Sequence, residues 1–491
     1  MTRIIEQINQ FVWGVPALVL IIGIGVYLSI RTGMVQLTFL PRAIRVFCSR
    51  LCSRKDHDGG TSPYQALCTA LAATVGTGNL AGVAGAITIG GPGAIFWMWI
   101  CGLLGMVTKF AEAALAVRYR VRNADGEYVG GPMYMISRGI GKRWSWLGTL
   151  YCFFGVVAAF GVGNATQINT VIGGVNRALT ACGGKETTAG NVMMGLALAV
   201  LVALMLFGGA KRIGVAAERL VPFASALYLL LGIGVLLMRM PLIPSAFQMI
   251  LRGAFSPKAV TGGVLGSTFA ALRVGASRGV FTNEAGMGTA SIAHAAAQVD
   301  HPAEQGLMGI MEVFLDTIVI CTITALVILC SGVPIPYGTD AGIQLTCDAF
   351  SLIYGSWISI VIAITLCCFA IGTVLGWGLY GVRCAQYLFG ERVWRFFVCL
   401  QVAAVILGAV MRTDTVWMLS ETVNGLMAIP NLIALALLTP ELVRLTNDYK
   451  RKNGNLNAEG STYEDFHQCE SLRTVTYAQI PSAGSCGRKE R

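Results

Sequence analysis

The sequence predicts an all-helical protein that crosses a membrane many times. Of its 491 residues, 55% are hydrophobic and only 12% are charged, whereas a soluble protein carries about 25% charged residues. Apolar runs long enough to span a bilayer core, which takes roughly 20 residues, recur along the chain. Its 60 glycines suit helices that pack closely or break inside a membrane. This composition excludes a soluble enzyme, a disordered protein and a nucleic-acid-binding protein, although the net charge is +11.

About eleven apolar runs each predict one transmembrane helix. The seventh run is the least regular, because it contains Arg273, Arg278 and Glu284. The segment 241–260 predicts a short surface helix between two spans. The predicted spans cover about 11–30, 66–90, 93–117, 145–175, 191–208, 220–238, 263–290, 307–332, 355–380, 396–411 and 416–439.

The spans form one transmembrane domain over residues 1–445. The remainder, 446–491, is polar and without apolar periodicity, which predicts a cytoplasmic tail that is partly disordered. With the N-terminus outside, the inside segments hold 26 of the 36 Lys and Arg residues and the outside segments hold 7. Since cytoplasmic loops are enriched in these residues, we expect an external N-terminus and a cytoplasmic C-terminus. We therefore predict a multi-pass protein of the plasma membrane, which in a bacterium is the inner membrane.

Two glycine-rich interruptions stand inside otherwise apolar spans. One is Ala72–Asn79 (AATVGTGN) and the other is Thr282–Thr289 (TNEAGMGT). Non-helical backbone at membrane depth is tolerated only where it is buried in protein or lines a cavity. There, freed carbonyls can bind a cation, and freed amides can bind a carboxylate. Close packing of small residues is the alternative explanation.

The positions of the interruptions suggest an internal repeat. If the spans after the first are numbered core helices 1 to 10, the interruptions fall in core helices 1 and 6. Two five-helix units of opposite orientation are typical of transporters. We predict repeat one over about 66–240 and repeat two over about 263–440.

Ionisable residues inside the spans are costly there and need partners. Lys109 and Glu112 are three residues apart on core helix 2 and could pair with each other. Most of the other ionisable residues within spans are predicted to form structural pairs or inner-gate salt bridges, and a proton relay is the less favoured alternative. His294, near the predicted cytoplasmic end of core helix 6, is interpreted as a hydrogen-bonded loop histidine. The others within spans are Arg273, Arg278, Glu284, Glu312 and Asp316.

The sequence contains no cluster of cysteines and histidines with metal-site spacing. It has no nucleophile elbow and no phosphate-binding GxxxxGK[ST] loop, so we predict no catalytic residues and no use of ATP. The residues by themselves thus favour a transporter with broken helices.

Several motifs resemble the signature of the alanine or glycine:cation symporter family, over about residues 10–445. They are Val75–Ala84 (VGTGNLAGVA), Gly90–Ala94 (GGPGA), Phe96–Trp99 (FWMW), Lys109–Glu112 (KFAE), Gly130–Tyr134 (GGPMY), Gly161–Gln167 (GVGNATQ), Thr282–Gly288 (TNEAGMG), Ile292–Ala297 (IAHAAA) and Gly376–Trp377.

The resemblance implies a ten-helix inverted-repeat fold, shared with other amino-acid and neurotransmitter:sodium symporters, plus one N-terminal helix. It also implies sodium-coupled uptake of alanine or glycine by alternating access. Sodium is then the coupling ion, and no organic cofactor or nucleic-acid partner is expected. The sequence does not determine the oligomeric state, the stoichiometry or the preference among glycine, L-alanine and D-alanine.

By similarity to related symporters, the sodium ligands are the carbonyls of Ala72 and Val75 and the hydroxyl of Thr373. Phe369 or Ala370 would add a carbonyl one turn before that threonine. Many members of the family have a serine before it, where this chain has Gly372, so one oxygen ligand is missing. Alternatively, Thr373 bonds only to its own helix.

The resemblance also implies the substrate contacts. Free amides at Thr77, Gly78 and Asn79 should bind the carboxylate of the amino acid. The ammonium requires acceptors, either the carbonyls near Thr282 and Asn283 or the amide of Gln167. Gln167 is either a substrate ligand or an interhelical hydrogen-bonding residue. Asn164, one turn from Gln167, is a further candidate. Phe281 and Trp377 either line the substrate pocket or pack within the helix bundle.

Three other functions are alternatives. A proton-coupled symporter of another small neutral amino acid is the nearest alternative. A channel would need a repeated carbonyl filter motif, which is not found, and an intramembrane transferase would need acidic or histidine clusters at one membrane face. Asp340 and Asp348 lie in the loop 333–354 without a neighbouring base.

Overall fold

The computed structural model describes residues 14–52, 60–181, 183–256, 261, 267–410 and 414–458. These residues are mostly helical, with one short antiparallel hairpin of β1 (Val121–Arg122) and β2 (Tyr128–Val129). The chain divides into two compact units, Met1–Leu445 and Thr446–Arg491. Every site discussed below lies in the first unit.

Eight helices of the described residues are long and apolar enough to cross a membrane, and the number is nine if the bent pair Pro63–Thr74 and Gly78–Gly90 is one span. The prediction of an all-helical polytopic membrane protein is therefore confirmed. In order, core helices 2, 3, 4, 5, 7, 8, 9 and 10 are Ala94–Tyr119, Lys142–Thr180, Thr188–Leu206, Gly209–Met238, Pro302–Ser331, Ile358–Phe389, Glu391–Ala409 and Thr422–Lys452.

Some of these crossings contain π-helical or 3-10 turns, and other helices connect them. Core helix 3 comprises Lys142–Trp144, Ser145–Phe160, Gly161–Ala165 and Thr166–Ala181, and core helix 7 comprises Pro302–Val313, Phe314–Cys321 and Thr322–Ser331. Core helix 9 comprises the 3-10 turn Glu391–Val393 and the helix Trp394–Val410. Core helix 10 is part of the longer helix Asp414–Ala458. The connecting helices are Val35–Thr38, Leu40–Cys52, Pro132–Tyr134, Met135–Ile140, Met240–Leu242, Ile243–Phe255 and Gly342–Tyr354.

The first predicted span appears as the helix Val15–Thr32, and residues 1–13 lie outside the described residues. The helix Ile243–Phe255 occupies the segment 241–260, where a short helix is predicted. Of the predicted tail, 459–491 lie outside the described residues.

Core helix 1 is broken at the first predicted interruption. Its first half, Pro63–Thr74, begins with a capping box in which Ser62 and Gln65 bond reciprocally. Val75 is extended, with ψ of 107°. The second half, Gly78–Gly90, opens with a π-helical turn and is inclined by 54° to the first.

Core helix 6 is broken at the second interruption, between Thr268–Asn283 and Thr289–His294. Three residues between the two halves have left-handed backbone, with φ of 52° at Glu284, 94° at Gly286 and 77° at Gly288. Glycine adopts this conformation without steric cost, which explains two of the three positions.

Core helix 8 approaches the first half of core helix 1 closely. A Cβ atom added at Gly376 would lie 2.8 Å from the Cβ of Ala73, too close for any side chain. Glycine at this position therefore allows the break of core helix 1 to lie directly against core helix 8.

Candidate functional site

The break of core helix 1 exposes backbone groups beside Thr373 of core helix 8. In an uninterrupted helix the Gly76 amide would donate to the Ala72 carbonyl, but here it donates to Asn79 Oδ1 at 2.9 Å. A Cβ atom added at Gly76 would lie 2.9 Å from the Thr373 hydroxyl oxygen. That hydroxyl donates to the Phe369 carbonyl at 3.1 Å. The hydrogen bond of the alternative interpretation is thus present, and the hydroxyl oxygen lies beside the break.

Gln167 of core helix 3 lies on the same side of the break. Its Oε1 accepts from the Thr77 hydroxyl at 3.4 Å, and its Nε2 donates to the Val162 carbonyl at 3.2 Å. Val162 belongs to the π-helical turn Gly161–Ala165, where irregular backbone leaves a carbonyl within reach. The structure therefore brings Thr77, Gln167 and Thr373 together around Gly76.

The second half of core helix 1 meets core helix 6 at Gly78. A Cβ atom added at Gly78 would lie 3.2 Å from Thr282 Cγ2 and 3.7 Å from Phe281 Cδ1. The Thr282 hydroxyl donates to the Gly279 carbonyl of its own helix at 2.8 Å. The space beside the freed amides is consequently narrow.

Two of the predicted site residues meet at Asp316 of core helix 7. Asn79 Nδ2 donates to Asp316 Oδ1 at 2.7 Å. Asn283 Nδ2 donates to the Thr317 hydroxyl at 3.0 Å, and that hydroxyl donates to Asp316 Oδ2 at 2.8 Å. Both asparagine side chains therefore fix the breaks of core helices 1 and 6 to core helix 7, and the backbone amide of Asn79 donates to the Gly76 carbonyl at 3.3 Å.

The side chains of Asn164 and Trp377 form hydrogen bonds with residues outside this cluster. Asn164 Nδ2 donates to the carbonyl and to Oε1 of Gln401 on core helix 9, at 2.8 and 2.7 Å. Trp377 is fully buried, and its indole donates to Glu284 Oε1 at 3.1 Å. Its ring packs against Gly163, where an added Cβ would lie 2.2 Å from Trp377 Cβ.

The break of core helix 6 is held by a carboxylate from core helix 2. Glu112 Oε1 accepts from the amides of Gly286 and Gly288, both at 3.0 Å. Asn431 of core helix 10 donates to the same oxygen at 2.7 Å and to the Gly286 carbonyl at 2.9 Å. Glu112 thus supplies the acceptor that these amides would otherwise lack at membrane depth.

A buried ion pair lies beside this break, and it joins core helices 2 and 7 rather than two residues of core helix 2. Lys109 Nζ is 2.8 Å from Glu312 Oε1 of core helix 7, so the expected pairing of Lys109 with Glu112 is not seen. His294 Nε2 is 3.0 Å from the other oxygen of Glu312. His294 is fully buried rather than part of a loop surface.

Sequence reasoning missed Asn431 and the roles of Glu112 and Asp316. A signal existed for each, since an amide or a carboxylate within an apolar run requires a hydrogen-bonding partner. The partner itself could not be identified, because each contact joins distant segments of the chain.

Chemically, the cluster offers backbone amides, carbonyls and neutral side chains in a water-poor space. Such groups suit a small zwitterion and a hard monovalent cation. Among the described residues, no group of three or more His, Cys, Asp or Glu side chains is placed to hold a metal ion.

Comparison with known proteins identifies the family. The profile of the "Sodium:alanine symporter family" matches residues 1–462. The sodium/alanine symporter AgcS of Methanococcus maripaludis is 42% identical over 93% of this chain and 99% of its own length. The probable sodium/glutamine symporter GlnT of Bacillus subtilis is 36% identical over 92% of each chain.

A solved structure shares the fold. The crystal structure of MhsT in complex with L-phenylalanine matches 80% of this chain and 99% of its own chain, with a TM-score of 0.54 and 14% identity. The predicted fold class is thereby confirmed. The prediction of a multi-pass, sodium-coupled amino-acid symporter is confirmed by the family match. On its sequence, over nearly its whole length, this chain belongs to the sodium:alanine symporter family.

Proposed function

We propose that this chain takes up alanine or glycine together with Na⁺ by alternating access. The observation that carries the proposal is the break of core helix 1, which lies against Gln167 and Thr373 on one side and Thr282 on the other. One interrupted segment can then contact a substrate and a cation together. Because both ligands contact the same backbone, binding of one favours binding of the other. The substrate is moved without covalent change, and the chain is not an enzyme.

The cation site comprises the carbonyls of Ala72 and Val75 and the hydroxyl of Thr373. The Ala72 carbonyl has lost its helical donor, and Val75 is extended at the helix end. Thr373 adds a hydroxyl from core helix 8. Sodium is the only metal ion that we assign here.

The amino acid binds next to the cation, along the break from Gln167 to Thr282. Its carboxylate accepts from the amides of Thr77, Gly78 and Asn79 at the beginning of the second half of core helix 1. Its ammonium donates to Gln167 Oε1 or to carbonyls near Thr282 and Asn283. Thr282 and Phe281 fill the space beside Gly78, at 3.2 and 3.7 Å from the position of an added Cβ atom, and we expect them to restrict the substrate to a small side chain.

Uptake into liposomes tests this function. The purified protein is reconstituted, and radiolabelled alanine uptake is compared under inward gradients of Na⁺ and K⁺, with glycine and D-alanine as competitors. We expect accumulation above equilibrium with Na⁺ alone. Entry only to equilibrium and independent of Na⁺ would exclude coupling, and a proton gradient would then be tested.

Gln167→Ala is expected to raise the alanine KM by about 10- to 100-fold, since a hydrogen bond to a charged group contributes about 1.5–3 kcal/mol. Asn164→Ala is the matched control. It removes contacts to Gln401 only, so it should lower thermal stability and leave KM within about twofold. Equal KM values for the two variants would remove Gln167 from the substrate site.

Gly372→Ser is expected to lower the Na⁺ concentration for half-maximal uptake by about fivefold, or about 1 kcal/mol. A Cβ atom added at Gly372 would lie 3.4 Å from the Ala72 carbonyl oxygen, so a serine fits and places a hydroxyl at the cation site. Gly372→Ala fills the same space without the oxygen. If alanine had the same effect as serine, the added oxygen would not be a ligand.

The orientation with an external N-terminus and a cytoplasmic C-terminus is supported by the distribution of Lys and Arg between the loops. Labelling of single cysteines introduced in the loops 118–143 and 333–354 tests it. The first loop should be accessible only after the cells are permeabilised, and the second before.

A further inference from the structure

The connecting helix Leu40–Cys52, called the interfacial helix below, lies between the first span and core helix 1. The first span ends at Thr32, where Gly33 and Met34 have left-handed backbone and turn the chain. Core helix 1 begins at Pro63. A helix of 13 residues is about 20 Å long, too short for a bilayer core of about 30 Å. This length and position suit a helix that lies along the membrane surface.

One side of the interfacial helix packs against the rest of the protein. Ala43 is fully buried, and Val46 and Phe47, on the same side of the helix, are half-buried. The ring centroid of Phe47 is 6.1 Å from that of Tyr64 on core helix 1. The helix also contacts Pro302–Val313 of core helix 7. These contacts fix the rotation of the helix about its own axis, and so they determine which residues face outward.

A second side of the interfacial helix is apolar and exposed. Ile44, Cys48 and Leu51 are four and three residues apart, so they lie on one side of the helix. Ile44 is 38% exposed, Leu51 is 52% exposed, and Cys48 is exposed as well. Met34 and Leu37, in the turn before the helix, are also exposed. Such a surface is typical of a helix embedded at the boundary between lipid headgroups and acyl chains.

A basic side adjoins this apolar side. Arg45 is exposed and lies three residues before Cys48, so the two are neighbours on the helix surface. Arg31, in the last turn of the first span, is exposed as well. Neither guanidinium forms an ion pair with any of the described residues. Residues 7–55 contain six Lys and Arg residues and no Asp or Glu, so this segment has no carboxylate of its own to neutralise them.

The basic loop 118–143, on the same predicted side of the membrane, differs in this respect. Arg118 is 2.8 Å from Glu441, and Glu127 of this loop accepts from Arg383 at 2.9 Å. Arg31 and Arg45 lack such counter-charges within the described protein. A partner that covers this surface must therefore offer anionic groups beside hydrocarbon, and that is the chemistry of an anionic phospholipid.

We propose that the interfacial helix binds anionic phospholipids of the membrane leaflet that it adjoins. Arg31 and Arg45 contact the phosphates, and Ile44 and Leu51 insert between the acyl chains. A charge-assisted hydrogen bond to phosphate supplies the acceptors that both guanidinium groups require. The site is distinct from the helix breaks, and its occupation does not depend on the transported substrate.

Photo-cross-linking in lipid nanodiscs tests this site. The full-length protein is reconstituted in phosphatidylcholine with a small fraction of photoactivatable phosphatidylglycerol or photoactivatable phosphatidylcholine, and the adducts are mapped to peptic peptides by mass spectrometry. We expect the peptides from Leu40–Cys52 to carry at least fivefold more phosphatidylglycerol than phosphatidylcholine. Arg31→Gln combined with Arg45→Gln should lower the phosphatidylglycerol yield at least threefold and leave the phosphatidylcholine yield unchanged.

Two further variants separate charge from other effects of the substitutions. Arg31→Lys with Arg45→Lys keeps both charges and should retain at least half of the phosphatidylglycerol yield, because a lysine near an anionic surface is attracted as an arginine is. Arg118→Gln is the matched control, since it removes a charge that Glu441 already neutralises, and the yield should stay within 1.5-fold of wild type. Equal yields of the two lipids in wild type would mean that only the apolar side binds, and would overturn the proposal.

Competition distinguishes a lipid from a free anion. Millimolar inorganic phosphate at constant ionic strength should leave the phosphatidylglycerol yield unchanged, because phosphate has no acyl chains for the apolar side to bind. Loss of the adducts on addition of phosphate would assign the site to a small anion and overturn the proposal. Absence of adducts from the interfacial helix in nanodiscs that hold two copies of the chain would assign this surface to a second copy, with the same consequence.

Discussion

Lys109→Met is expected to prevent folding of most of the protein. It removes the ammonium group that pairs with Glu312, so that among the described residues His294 is the remaining side-chain partner of this carboxylate. Breaking a buried ion pair by removing one partner costs about 3–5 kcal/mol, because the other charge remains buried without compensation. That is a large part of the stability of a typical domain. Size-exclusion profiles and thermal midpoints in detergent measure the effect.

Two further variants separate the charge from the packing. Lys109→Met combined with Glu312→Gln removes both charges and should recover most of the lost stability. Arg118→Met breaks a comparable pair with Glu441 at 2.8 Å, but Arg118 is 45% exposed, so little change is expected. If Arg118→Met were as damaging as Lys109→Met, burial of the pair would not explain the effect.

Gly76→Ala is expected to abolish transport with little loss of folded protein. The added Cβ would lie 2.9 Å from the Thr373 hydroxyl, so this hydroxyl must rotate away from the break or core helix 8 must move away from it. A displacement of about 1 Å in an organised site reduces rates by about 100-fold. Initial uptake rates and the Na⁺ concentration for half-maximal rate measure this effect.

Gly82→Ala is the matched control on the same helix. Its Cβ would lie 3.7 Å from Thr282 Cγ2, an ordinary contact, and uptake should stay within about twofold of wild type. Gly76→Ala with Thr373→Ala removes the clash together with the hydroxyl. Wild-type Na⁺ dependence in that double variant would contradict the role of Thr373 as a cation ligand.

The fold and both helix breaks could be predicted because their signals are local. The run Ala72–Asn79 contains two glycines and polar residues inside an apolar span, and backbone of that kind cannot continue a helix against lipid. The same reasoning located Thr282–Thr289. The roles of Gln167 and Thr373 were predicted from the family resemblance, and both residues lie beside Gly76 in the structure.

The contacts between distant segments could not be predicted. Lys109 and Glu112 have spacing that favours a pair on one helix face, yet Glu112 accepts from the amides of the core helix 6 break instead. The backbone amides at that break need an acceptor at membrane depth, and Glu112 supplies it instead of pairing with Lys109. Asn79 and Asn283 were predicted to contact the substrate through backbone groups, and the partners of their side chains, Asp316 and Thr317, could not be predicted. Nothing in one sequence shows which carboxylate lies opposite an asparagine after folding.

The long separation between Lys109 and Glu312 also bears on how the protein is made. The two residues are 203 positions apart, and a ribosome adds about 5–20 residues per second, so Glu312 is synthesised about 10–40 s after Lys109. A lysine at the centre of an inserting helix costs about 2.5–3.5 kcal/mol, and Glu112 one turn away offers a temporary counter-charge. During this interval core helix 2 must be retained by the insertion machinery or by its neighbours. A nascent chain that ends before core helix 7 therefore lacks the carboxylate that pairs with its membrane-embedded lysine in the folded protein, and we expect it to be a preferred substrate of membrane quality-control proteases.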